Sequence, residues 1–128
     1  MLDKEFSFIK EHIQYLDKEN LLVSKANIGW HLDHSLKVIN NVFTTLKESK
    51  SEEYQQKFNA LRSLTFTLGF FPRGKARSPI KNLKAIDNID KNQFFTHPLF
   101  HQLNKKQTIK FLGLHTNHHL KIVKDILK

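Results

Sequence analysis

The stretch Leu114-His115-Thr116-Asn117-His118-His119-Leu120 sets two imidazoles one helical turn apart inside a segment that otherwise reads as an amphipathic helix. Each residue advances about 100° around a helix axis. With His115 at zero, His119 falls at about +40°, Ile122 at about −20°, Ile126 at about +20°, Phe111 at about −40° and Leu112 at about +60°. Both histidines therefore lie on the apolar stripe, where an imidazole without a partner loses its hydration and gains nothing. A metal ion shared by the pair would remove that penalty. His118, about 60° to the other side, belongs at the stripe's edge or on the surface.

Asn104 is placed to cap this last helix, which runs over 105–127. Upstream, apolar residues at Phe6, Ile9, Ile13 and Leu16 predict a helix over 4–17. Asn27 can cap a second, long helix over 28–48 that carries Ile28, Leu32, Leu36, Ile39, Phe43 and Leu46 on one face. Ser51-Glu52-Glu53 predicts the start of a third helix over 53–68, with its acidic residues in the first turn and Gly69 at its end. Residues 70–79 hold Pro72 and Pro79 and read as a loop, 80–96 contain one to three helical turns at most, and Pro98 opens a short turn. There is no internal repeat and no domain boundary. All of this describes a single all-α domain over 1–128.

Composition narrows the chemistry. The chain has 128 residues, 39% of them hydrophobic, with eleven Phe and four Gly, enough for one modest packed core. It has no Cys, which rules out disulfides, thiolate ligands and a cysteine nucleophile. No apolar stretch approaches the length needed to span a bilayer, and no leader-like segment opens the chain, so a cytoplasmic protein with no membrane partner is expected. The net charge of +9 raises nucleic acid as a partner. The lysines, however, are dispersed, and Arg62, Arg73 and Arg77 are the whole arginine complement, so a solvated basic surface is the better reading.

A third imidazole could come from the second helix, where His31 and His34 both follow Trp30, though either could equally pack at a helix interface. Periodicity slightly prefers His31, which is nearer the centre of the apolar stripe. His34 has a mixed wall of Trp30, Val38, Asn41 and Thr45 within about 40° of it. Asp33 projects about 100° from His34 and reads as a surface charge more readily than as a partner for its ring. His97 and His101 read as packing in the turn around Pro98.

The segment Asn27-Ile28-Gly29-Trp30-His31-Leu32-Asp33-His34 resembles the second-helix motif of the DinB/YfiT-like superfamily, in particular a bacterial branch of unknown function, and His115-Thr116-Asn117-His118-His119 resembles its last-helix motif. Phe71-Pro72-Arg73-Gly74-Lys75-Ala76-Arg77-Ser78-Pro79 and Thr96-His97-Pro98-Leu99-Phe100 are similar to the same branch. The resemblance implies an up-down helical bundle in which His34, His115 and His119 bind a divalent transition metal, with Zn or Ni ahead of Fe or Cu. It also implies a transferase that joins a low-molecular-weight thiol to an electrophile, with Arg73, Lys75 and Arg77 available for an anionic group of that cosubstrate. The competing readings are a non-catalytic metal-binding or structural module and a hydrolase working through metal-activated water. The family's third long helix is the point of departure, because 80–96, even if wholly helical, would span only about 26 Å. The third helix is thus shortened or missing, and a homodimer is one way to cover the apolar edge this leaves.

Overall fold

The computed structural model describes residues 2–69 and 89–128. The basic loop with Arg73, Lys75 and Arg77, and most of the shortened interval 80–96, lie outside the described residues. The described chain is mostly helical: α1 (Asp3–His12), α2 (Ile28–Glu48), α3 (Ala60–Leu68) and α4 (Lys105–Ile126), with a two-stranded sheet of β1 (Phe94–His97) and β2 (His101–Asn104). Among the described residues no helix is long and apolar enough to cross a membrane.

The two long helices form where their caps predict. Asn27 accepts a hydrogen bond from the Trp30 amide at the start of α2, and Asn104 accepts from the Gln107 amide while the Gln107 side chain accepts from the Asn104 amide, a reciprocal capping box. The other helical expectations need correction. The first helix is α-helical only to His12 and tightens into a 3₁₀ turn over Ile13–Tyr15. Ser51–Glu53 is likewise a single 3₁₀ turn, and the chain stays out of helix until Asn59, whose Oδ1 accepts from the Arg62 amide and caps a much shorter α3. The hairpin holds the intervening segment: Gln102 Oε1 accepts from the Gln55 amide at 2.7 Å, and the Leu99 carbonyl accepts from Asn59 Nδ2. Gly69 ends α3 in the left-handed region, φ 71°, as expected.

The all-α expectation holds in its coarse form, and the sheet is a small addition to a mostly helical chain. β1 and β2 pair antiparallel, Phe94 opposite Asn104 and His97 opposite His101, across the turn Pro98-Leu99-Phe100. His97 closes that turn: its Nδ1 accepts from the amides of Leu99 and Phe100, and its ring stacks on Phe100 with centroids 4.4 Å apart. His101, at φ 57°, is exposed. Gln93 and the Phe94 amide donate to the end of α2 at Lys47 and Ser49, and β2 runs straight into α4, so the hairpin sets where α4 begins relative to α2.

Helices α2 and α4 form the main packing pair. Ile28 and Leu32 near the start of α2 pack with Leu120, Ile122, Val123 and Ile126 near the end of α4. Ile39, Val42, Phe43 and Leu46, later in α2, pack with Phe111 and Leu112, early in α4, and with Phe100 and Leu103 of the hairpin. The two helices therefore run in opposite directions. Between the two apolar clusters lies a buried polar layer of His31, His34 and Ser35 from α2 and His115, Thr116 and His119 from α4.

Candidate metal centre

The helical wheel of α4 holds in three dimensions. Phe111, Leu112, His115, His119, Ile122 and Ile126 are all buried, and the two histidines are 8% and 3% exposed. From α2, His31 and His34 are each 3% exposed, so burial does not separate them. Geometry does. His34, His115 and His119 each offer a ring nitrogen, and these atoms lie within 4.8 Å of one another. A tetrahedral ion with bonds of about 2.0–2.1 Å needs nitrogens about 3.4 Å apart, a closure within reach of small ring movements.

Two of these rings present a buried nitrogen with no hydrogen-bond partner, His34 Nε2 and His119 Nε2. Such orphans are uncommon in a folded interior, since each forfeits about 1–3 kcal/mol of hydration with no return. A cation accepting the lone pairs of both would remove that loss, and an uncharged imidazole set suits a borderline divalent transition metal. The donors therefore fit a metal ion on grounds of proximity, burial and unmet bonding capacity.

Burial also keeps the rings neutral, which is the ligating form. Desolvation holds His115 down at about 3 and His119 at about 2, the neighbouring imidazoles adding to the effect in each case. His34 is lowered mainly by burial, with Asp33 opposing and Lys37 assisting. Metal binding that relied on exposed histidines would weaken below about pH 6.5. Here the site itself resists protonation to lower pH.

Trp30, 42% exposed, covers the outer side of the cluster. Its indole stacks on His34, with centroids 4.7 Å apart and planes 6° from parallel, and it meets His31 and His119 edge-on at 5.1 and 5.9 Å. The His34 ring plane is thereby fixed. Asp33 turns away and pairs with Lys37 one turn along, which makes it a surface charge. His118 is half-buried and meets His119 edge-on, 5.1 Å between centroids.

His31 is the residue the sequence left unplaced. Its Nδ1 lies 2.9 Å from His119 Nδ1, and its Nε2 lies 2.9 Å from Ser24 Oγ. It is thus a neighbour of one member of the triad and not a fourth member. The loop carrying Ser24 is tied to the first turn of α2 by the Ile28 and Gly29 amides, which donate to the Lys18 and Leu16 carbonyls. Gly29 suits this close approach, because a Cβ would sit 3.0 Å from the Leu16 oxygen, tighter than an ordinary contact. Ser24 carries no motif of its own, and only the packed loop brings it to His31.

The chain matches no family model, no curated protein and no solved structure.

Proposed function

We propose that the chain binds a divalent transition metal, Zn or Ni in preference to Fe or Cu, through His34, His115 and His119, and that it is a metal-dependent enzyme. The observation that carries this reading is the convergence of three buried imidazoles, two of them with unpartnered nitrogens, on one point between α2 and α4. Three protein ligands leave a tetrahedral ion with an open position, the arrangement of catalytic and not of structural sites. A bound divalent ion supplies Lewis acidity and a positive charge that three neutral imidazoles do not cancel, which favours an anionic ligand such as a thiolate at that position.

The chain's own residues then have separable tasks. His34, His115 and His119 donate lone pairs, Trp30 holds the His34 ring plane, and the apolar clusters on either side exclude water. The reaction that fits best is transfer of a low-molecular-weight thiol to an electrophile. Support comes from the resemblance to the DinB/YfiT-like superfamily and from the absence of cysteine, which leaves sulfur to be supplied by the cosubstrate.

Elemental analysis of protein purified without an affinity tag, for the wild type and for His34→Ala, His115→Ala and His119→Ala, tests the metal. Near-stoichiometric metal in the wild type and its loss in each variant is the expected result; unchanged metal content in all three variants refutes the site. Consumption of a small thiol in the presence of a panel of electrophiles tests the chemistry. Turnover of esters or amides without thiol would point instead to hydrolysis.

A further inference from the structure

An imidazole can ligate through Nε2 only when its single proton sits on Nδ1. For His119 the free nitrogen is Nε2, while Nδ1 faces another histidine, which is itself neutral only in one of two tautomers. The pair has two self-consistent arrangements. In one, His119 Nδ1–H donates to His31 Nδ1, and His31 Nε2–H donates to Ser24 Oγ. In the other every proton moves to the opposite end: the Ser24 hydroxyl donates to His31 Nε2, His31 Nδ1–H donates to His119 Nδ1, and His119 Nε2 carries a proton that forbids ligation.

We infer that His31, backed by Ser24, is a positioning residue that holds His119 in the Nδ1–H tautomer and so presents Nε2 to the metal. The inference rests on the metal site proposed above. The Ser24 oxygen accepts from the Ala26 amide at 3.1 Å, which fixes it in place and allows either arrangement; ligation selects the one in which its second lone pair takes the His31 Nε2–H, since the other puts a proton on His119 Nε2. The contact is buried at the His31–His119 end and spans 88 positions in sequence, so it is formed only by the folded pair of helices. Acceptors that hold a ligating ring by its other nitrogen fix both ring orientation and ligand basicity, and their removal lowers metal affinity about 10–100-fold. The usual acceptor is a carboxylate or a backbone carbonyl. Here an imidazole takes that place, which adds no negative charge to the site.

Two variants and one spectrum test this. His31→Leu removes the acceptor, whereas His31→Asn places an amide oxygen near the position of the lost Nδ1. Ni(II) affinity, measured by calorimetry on the full chain, is expected to fall about 10–100-fold in His31→Leu and to stay within about threefold of wild type in His31→Asn. In the metal-free wild type, ring ¹⁵N shifts of His119 are expected to report a protonated Nδ1 and a bare Nε2, an assignment that does not depend on either variant folding. Wild-type affinity in His31→Leu, an equal loss in folded His31→Asn, or a proton on His119 Nε2 in the metal-free protein each overturns the inference. If the wild type takes up no Ni(II), the metal reading fails by itself, and the ¹⁵N spectrum still decides the tautomer.

Discussion

Replacing His34 by Leu should make the metal-free protein more stable and the metal-loaded protein relatively less so. His34 is 3% exposed and its Nε2 has no partner. Deleting that orphan returns about 1–3 kcal/mol of unrecovered hydration, and Leu is of similar size and more apolar. Against this stands the loss of the parallel stack on Trp30, worth about 0.5–1.5 kcal/mol. The balance is a gain of about 1 kcal/mol for the metal-free variant. At a free metal concentration about 100 times its dissociation constant, the wild type gains about 2.7 kcal/mol and the variant, lacking a ligand, gains almost none. The order of stabilities should therefore cross between chelator and metal. Urea unfolding followed by far-ultraviolet circular dichroism, with EDTA or with Zn(II), measures all four values, and Trp30, the single tryptophan, gives a second probe at the site. If metal-free His34→Leu is less stable than wild type by 1 kcal/mol or more, the histidine serves packing, and the argument from unmet bonding capacity fails.

Acid should destabilise the metal-free protein early. His115 and His119 stay neutral in the fold down to about 3 and about 2, whereas in the unfolded chain they titrate near 6.5, so the unfolded state binds more protons and stability falls as pH drops below about 6.5. Each costs about 1.4 kcal/mol over the whole interval from pH 7.5 to 5.5, about 2.7 kcal/mol for the two; a flat urea midpoint over that range contradicts the burial. Gly29→Ala should lower stability by about 1 kcal/mol in thermal melts, despite the better helix propensity of Ala, because its Cβ meets the Leu16 carbonyl; a raised melting temperature is the contrary result. Asp33→Asn should leave Ni(II) affinity within about threefold and cost only the small stability of an exposed i,i+4 pair, about 0.3–0.5 kcal/mol. A tenfold loss of affinity would return Asp33 to the site.

What could be read in the sequence followed periodicity and caps. Asn27 and Asn104 located α2 and α4 because an N-cap acts over three residues and needs nothing distant. The stripe through His115 and His119 was legible for the same reason, as 22 residues of one helix average out local noise. The hairpin was not, since Phe94–His97 is four residues long, too short to show alternation, and is held by Ser49 and by its pairing with His101–Asn104. The false start of the third helix at Ser51 is a contest between two competent caps, decided in favour of Asn59 by contacts from the hairpin. The choice between His31 and His34 was open on periodicity, because both face inward. Ser24 could not have been found at all, since its role arises from a loop folding back on Leu16 and Lys18.

The polar layer that splits the core in two has a structural effect apart from any ligand. Two apolar helix faces can slide past one another by a turn, about 5.4 Å, and still bury much the same area. Ring nitrogens 2.9 Å apart cannot, so the contact between His31 and His119 singles out one alignment of α2 and α4, as a lone buried Asn does in a coiled coil. The site is then also the fold's registration mark. Substitutions that rid the layer of its polar groups one by one should raise stability at first and, with the last of them, release the helices to more than one packing.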